Sequence, residues 1–316
     1  MPVTKWWGKA MRTDHYYPSK GIGMIHFCRW TPEGEPRGVV QIVHGIAEFV
    51  ERYDEFARFL NDLGYLVVAE DHMGHGQSIS KGGIRGYFHG GWSAAVADTL
   101  QLMKDTMAEF PELPYVLFGH SMGSFMARTI LAKYPDCGIS AAIICGTAWQ
   151  PAPVLKLGQG MCALMCRDGA AEEPNEKLQA LIFGGYNAKV EHPRTDYDWL
   201  TRDEKIVDAY VESHLCGFTA SEGLLRDMLS GMDYIQNRKN LARMRKNLPV
   251  LFVAGGDDPV GNFGKGVEQA AKAFRQAGME QVDVKIYPLC RHEILNEINR
   301  RDIYQDLAAW IRENAK

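Results

Sequence analysis

The stretch Tyr115-Val116-Leu117-Phe118-Gly119-His120-Ser121-Met122-Gly123-Ser124 is an apolar run that stops on a serine set between two glycines. A short run of this composition predicts a strand covered on both faces. After it, Phe125, Met126, Ile130 and Leu131 recur at helical spacing from Met122 to Tyr134, and Pro135 ends the pattern. Ser121 therefore falls in a sharp strand-to-helix turn, and the flanking glycines leave room for a neighbouring strand and helix to approach. The helix N-terminus points at the serine, where its N–H groups and dipole favour negative charge, which is what an attacked carbonyl oxygen becomes. G-x-S-x-G is only moderately specific by itself. The strand before it and the helix after it are the context that makes it a nucleophile elbow.

Outward from this turn the chain alternates. Towards the N-terminus, Met24 to Trp30 predicts a strand and Thr31-Pro32-Glu33-Gly34-Glu35-Pro36 a turn. Val39 to Val43 is a second apolar run, ending at His44-Gly45. Arg52 to Leu63 has helical spacing stopped by Gly64, Tyr65 to Ala69 predicts another strand, and a helix follows from about Trp92 to Phe110. Beyond the elbow helix comes the strand Ala141 to Cys145. Such alternation argues for an α/β fold with a mostly parallel sheet and helices on both faces. From 148 to 245 the pattern changes to helical stretches alone, Val154 to Cys166, Leu178 to Phe183, Glu204 to Ser213 and Ser221 to Met232. That block reads as an inserted cap on a core formed by 1–147 and 246–316. Alternation resumes with the strand Pro249 to Ala254, a helix ending near Gly278, the strand Val282 to Tyr287 and a last helix near Ile303 to Asn314.

Composition narrows the class. Hydrophobic content of 46% and charged content of 23% are those of a globular protein, and a net charge of −4 leaves no basic footprint for nucleic acid. Met1 to Arg12 carries Lys5, Lys9 and Arg12 around Trp6-Trp7, with no apolar core of signal-peptide length. Seven scattered cysteines are an odd number and no disulfide framework, so a reducing, cytoplasmic setting is expected. Cys162 and Cys166 lack a second pair with zinc-like spacing, and no metal site is expected there.

Serine alone is a poor nucleophile and needs a base and a group to orient that base. In sheets of this kind the partners follow the serine in the order acid, then histidine, in loops beyond the carboxyl ends of later strands. The strand 249–254 runs into Gly255-Gly256-Asp257-Asp258-Pro259, and the strand 282–287 into Pro288-Leu289-Cys290-Arg291-His292. His292 is the only histidine after His214. The residues leave Asp257 and Asp258 as alternatives for the acid. An oxyanion hole is expected from the Met122 N–H and a second N–H in His44-Gly45-Ile46-Ala47-Glu48, with Ile46 as the natural donor. His44 reads as a strand-end histidine bonded to backbone. His72 and His75 have a metal-like separation without a supporting carboxylate or cysteine set.

Taken together, His44-Gly45-Ile46-Ala47-Glu48, Arg52-Tyr53, Asp71-His72-Met73-Gly74-His75-Gly76-Gln77-Ser78, Gly119-His120-Ser121-Met122-Gly123 and Asp258-Pro259 resemble the α/β-hydrolase family of monoacylglycerol lipases and lysophospholipases, also labelled serine aminopeptidase-like. The resemblance implies an eight-stranded hydrolase fold with a helical cap, cleavage of a carboxylic ester carrying a long acyl chain, and no cofactor. It carries the triad onto Ser121, Asp258 and His292, the oxyanion donors onto Ile46 and Met122, and a place near the polar end of the substrate onto Glu48. The chain departs from the pattern H-G-x-G-E-H with Ala47 and Phe49. The cap stretch with Val154, Leu155, Leu157, Met161, Leu164 and Met165 is too short and too interrupted to span a bilayer. It is expected to roof an acyl pocket, with transient contact to a membrane surface as a second reading. Two rival functions are a peptidase using Glu172-Glu173 for a substrate amine, and a binding protein on a hydrolase scaffold.

Overall fold

A computed structural model describes residues 10–166 and 171–316. Most of the Met1–Arg12 stretch, with no apolar core of signal-peptide length expected in it, lies outside them. The strands are β1 (Met11–Pro18), β2 (Met24–Thr31), β3 (Gly38–Val43), β4 (Tyr65–Glu70), β5 (Tyr115–His120), β6 (Ala141–Cys145), β7 (Val250–Gly255) and β8 (Val282–Tyr287). They form one sheet in the order β1-β2-β4-β3-β5-β6-β7-β8. The pairs β1–β2 and β2–β4 are antiparallel and all other neighbours parallel.

The helices are α1 (Asp54–Asp62), α2 (Gly91–Glu109), α3 (Met122–Lys133), α4 (Ala152–Met165), α5 (Glu176–Phe183), α6 (Glu204–Glu212), α7 (Glu222–Gln236), α8 (Arg238–Leu241), α9 (Lys265–Gln276) and α10 (Arg300–Asn314). The period of two in each strand splits the core into two layers. On one face Val39, Val43 and Leu117 pack with residues of α2, α3 and α9, and on the other Val40, Ile42, Val116 and Phe118 pack with residues of α1 and α10. All six residues of β3 are buried, which is why the run is apolar apart from Gln41. That side chain is satisfied by the Thr99 carbonyl and the Tyr115 hydroxyl.

Three features differ from the sequence expectation. Strand β1 was not anticipated, because it is an edge strand whose side chains are exposed or only half-buried, so that no apolar alternation marks it. The helix expected from Arg52 begins instead with a tight turn over Val50–Tyr53, and α1 starts at Asp54. Helix α7 runs on to Gln236, and the single-turn α8 follows it. Leu224, Leu225, Met228, Met232 and Ile235 of α7 belong to the same apolar cluster as α2 and α3, so this helix shares the sheet's own core. Among the described residues the block 148–245 holds no strand, only the isolated bridge Pro174–Ser221.

Candidate active site

The apolar run of β5 ends where the backbone must turn from strand to helix, and Ser121 takes up the strain. Its φ of 53° and ψ of −122° lie where non-glycine residues are seldom found. The turn is held by the Ser121 N–H on the Cys145 carbonyl at 3.0 Å and by the Ser124 N–H on the Ser121 carbonyl at 2.9 Å. A Cβ on Gly123 would collide with the Val43 carbonyl oxygen, and one on Gly119 with the Gly123 carbonyl, so both glycines serve close backbone approach. Met122 is the first residue of α3, where an N–H has no acceptor one turn back.

The loop after β3 lies against this turn, since a Cβ on Gly45 would sit 3.0 Å from the Ser121 Cβ. His44 sets its shape. Its Nε2 accepts the His72 N–H at 3.1 Å, so its Nδ1 carries the proton and donates to the Gly45 carbonyl at 2.7 Å. The Gly45 N–H donates to Glu48 Oε1 at 2.5 Å. The Ala47 carbonyl accepts the Gly217 N–H at 3.0 Å and the Tyr210 hydroxyl at 2.9 Å, while Ala47 itself has a φ of 54°. Among the described residues no protein acceptor takes the Ile46 N–H.

On the far side, β7 and β8 deliver Asp258 and His292. Asp258 is fully buried, and its Oδ1 accepts the His292 Nδ1–H at 2.9 Å and the Val260 N–H at 2.9 Å. Asp257 is exposed. Since Nδ1 donates to Asp258, neutral His292 carries its lone pair on Nε2. Burial by itself would lower the His292 pKa, but Asp258, aided by Glu293 and Glu48, outweighs it and raises it above the ordinary 6.5. His120 packs 4.8 Å from the His292 ring, and burial with His292 beside it drives the His120 pKa down to about 3. Cys290 is buried, and burial pushes its thiol up.

A buried ion cluster joins the two loops. Arg52 donates both terminal nitrogens to Glu293 at 2.6 Å each and one of them to Glu48 at 2.8 Å. The Tyr53 hydroxyl adds a 3.0 Å bond to Glu48. Burial alone would raise Glu293, yet the bidentate Arg52 holds it down at about 2. Burial pushes Glu48 up against the pull of Arg52, and Glu293 adds to the rise.

Ser121, Met122, Ile46, Glu48 and His292 all line one cavity of about 800 Å³. Most of its remaining wall comes from residues 148–245, with Leu155 and Met161 of α4, Leu178 and Phe183 of α5, and Met228 and Met232 of α7 among the lining residues. The structure thus brings five of the six candidate site residues to one surface and the sixth, Asp258, onto His292. Sequence reasoning missed Glu293, Trp199 and Tyr210, and treated Arg52 and His120 only as parts of motifs. Glu293 had one local signal, its place directly after His292. Trp199 had none, for it reaches the His292 ring at 5.2 Å from a distant part of the chain. Glu172 and Glu173 are exposed and not on the cavity wall.

His72 and His75 bond to backbone carbonyls, as His44 does. Among the described residues, one group of three metal-ligating types converges elsewhere, at Asp14, His26 and Cys28. There Arg12 and His26 both bond the same Asp14 oxygen, and Asp71 takes the other nitrogen of His26.

A sheet of this order, with a strained serine turn between its fifth strand and the following helix, is the α/β-hydrolase fold. Residues 34–299 match the family described as serine aminopeptidase, S33, and the chain belongs to that family. It is 40% identical to human monoglyceride lipase, over 92% of this chain and 88% of that one. It is 29% identical to monoacylglycerol lipase of Mycolicibacterium smegmatis, over 96% and 98%. Among solved structures, a thermostable carboxyl esterase from Bacillus coagulans, in complex with glycerol, superposes with a TM-score of 0.90 at 29% identity, covering 96% of this chain and 99% of that one. The chain is a carboxylic ester hydrolase.

Proposed function

We propose that the protein hydrolyses monoacylglycerol-like or lysophospholipid-like esters through an acyl-enzyme on Ser121. The observation that carries this reading is the cavity that runs from Ser121 and His292 to the apolar side chains of α4, α5 and α7. A long acyl chain fills such a wall by the hydrophobic effect, while the ester carbonyl is left at the polar end beside the serine. Ser121 Oγ attacks the carbonyl carbon as His292 Nε2 takes its proton. Asp258 holds the imidazole in the required tautomer and stabilises the imidazolium. The tetrahedral oxyanion is received by the Ile46 and Met122 N–H groups. His292 then returns its proton to the leaving alcohol, and water activated by the same histidine releases the acid. Similarity to human monoglyceride lipase supports the substrate class. Glu48 lines the cavity near Ser121, which supports a place near the alcohol part of the substrate.

In this reading residues 148–245 act as a cap over the core formed by 1–147 and 246–316. Val154, Leu157 and Leu181 line the cavity and are also more than half exposed, a rim suited to transient contact with a lipid surface. No described helix is long and apolar enough to cross a membrane. Seven free thiols support a reducing, cytoplasmic location.

Two measurements test the reading. On p-nitrophenyl esters, kcat/KM is expected to rise from acetyl to at least octanoyl, each buried methylene contributing up to about 0.8 kcal/mol. A flat or falling series, or faster turnover of aminoacyl anilides, would remove the acyl-pocket assignment. The second is the pH profile. His292 must be neutral to act as base, and its pKa is raised in the folded protein. Activity is therefore lost as pH falls through that raised value, and the acid limb of kcat/KM is expected above 6.5, the ordinary imidazole value.

A further inference from the structure

We propose that Glu293 is a positioning residue of the hydrolytic site, which through Arg52 locks the loop carrying His292 to the loop carrying Ile46. The proposal rests on the reading of His292 as the base and Ile46 as an oxyanion donor. Its geometry is a continuous chain of bonds. Glu293 directly follows His292, and both of its oxygens receive Arg52 nitrogens at 2.6 Å, the paired arrangement that fixes a carboxylate in angle as well as distance. Asn296 adds a 2.8 Å bond to Glu293 Oε2, and the Leu200 carbonyl takes the Glu293 N–H at 2.7 Å. The same Arg52 holds Glu48 at 2.8 Å, and Glu48 in turn takes the Gly45 N–H that shapes the oxyanion loop. The guanidinium also lies 4.8 Å from the centre of the Tyr210 ring, and the Tyr210 hydroxyl bonds the Ala47 carbonyl. The base and the oxyanion donor are therefore held in register by one buried cation.

The cluster also has an electrical consequence. Arg52, Glu48 and Glu293 side chains are 10%, 4% and 5% exposed, so their charges act with little solvent screening. Glu293 and Glu48 both raise the His292 pKa alongside Asp258, and so favour the imidazolium formed as Ser121 is deprotonated. The charged and titratable groups facing His292 are Asp258 from the β7 loop, Glu293 on its own loop, Glu48 and Arg52 from the segment after β3, and His120 at the end of β5.

The experiment compares Glu293→Gln, which keeps the shape and loses the charge, with Glu293→Asp, which keeps the charge and shortens the reach. Each is assayed on one chromogenic ester across pH, with folding checked by circular dichroism and thermal melting. Glu293→Gln is expected to lower kcat by about 10- to 100-fold, the scale of a small misplacement of reacting groups, with KM changed less than about threefold. Removal of the negative charge also lowers the His292 pKa, so the acid limb moves to lower pH. Glu293→Asp is expected to lose kcat while its acid limb stays at the wild-type position. Unchanged kcat and an unmoved limb in folded Glu293→Gln would overturn the proposal, as would an effect confined to KM. If Glu293→Gln does not fold, Arg52→Lys and Glu293→Asp decide the matter, since both keep the charges and lose the paired geometry, and wild-type kcat in both would overturn it. Ser121→Ala is measured in parallel. Turnover retained there would overturn both the site reading and this proposal, whereas an inactive Ser121→Ala beside a fully active Glu293→Gln would overturn the positioning role alone.

Discussion

Ser121→Ala is expected to reduce ester turnover to background while the protein stays folded. The loss should be at least about 10⁵-fold in kcat, because removing the nucleophile of a serine hydrolase has cost on the order of 10⁶ where the fold was left intact. Folding should survive, since the hydroxyl has no bonded partner among the described residues and the turn is held by backbone bonds from Cys145 and Ser124. The strained backbone supplies an independent check. A serine at φ 53° and ψ −122° stores about 1–3 kcal/mol that glycine would not, against about 0.5–1 kcal/mol of extra unfolded-chain entropy for glycine. Ser121→Gly is thus expected to be equally inactive and more stable than wild type by about 1 kcal/mol, read as a higher Tm. Residual turnover in Ser121→Ala, with wild-type contamination excluded, would remove the assignment of the nucleophile.

Asp258→Asn is expected to lower kcat at least about 100-fold, and Asp257→Asn less than about 10-fold. The asymmetry follows from where the two side chains lie. Asp258 is fully buried and accepts the His292 Nδ1–H at 2.9 Å, whereas Asp257 is exposed. An asparagine at 258 can present its NH₂ to Nδ1, which favours the tautomer with the proton on Nε2 and leaves no lone pair to receive the Ser121 proton. A change of this kind costs on the order of 10⁴ in kcat in the well-studied serine-protease triad. One oxygen of Asp258, Oδ2, is buried with no hydrogen-bond partner among the described residues, so the exchange also alters a desolvated polar group, and the melting temperature should be recorded with the rate. Both variants are assayed on one chromogenic ester at saturating concentration. If Asp257→Asn were the more damaging, the acid loop would be assigned one residue out of register.

Much of the fold was legible because the signals that specify it are local. The runs 39–43, 65–69, 115–120, 141–145 and 249–254 are apolar because the central strands of this sheet are covered on both faces, and each became a strand within a residue or so of its expected limits. Pro135 and Gly64 ended their helices as backbone sterics require. Strand β1 escaped because an edge strand needs no apolar face. The turn at Val50–Tyr53 escaped because helical spacing does not distinguish a tight turn from the first turn of an α-helix.

For the site, sequence alone determined which residue types stood at the ends of which strands. A serine between glycines, one late histidine and an aspartate before a proline are each written within a few positions of a strand end. The residues by themselves left Asp257 and Asp258 open and the family resemblance pointed to Asp258, while in the folded chain Asp258 is buried against His292 and Asp257 is exposed. Arg52 and Glu293 are 241 positions apart, and nothing in the spacing of either announces the other. Their pairing, like the approach of Trp199 to His292 and of Tyr210 to Ala47, depends on how the sheet order and the helices between β6 and β7 bring distant loops together. Covalent neighbours fix backbone propensity and periodicity within a few residues, while partners across space are chosen by packing, which one chain's sequence does not spell out.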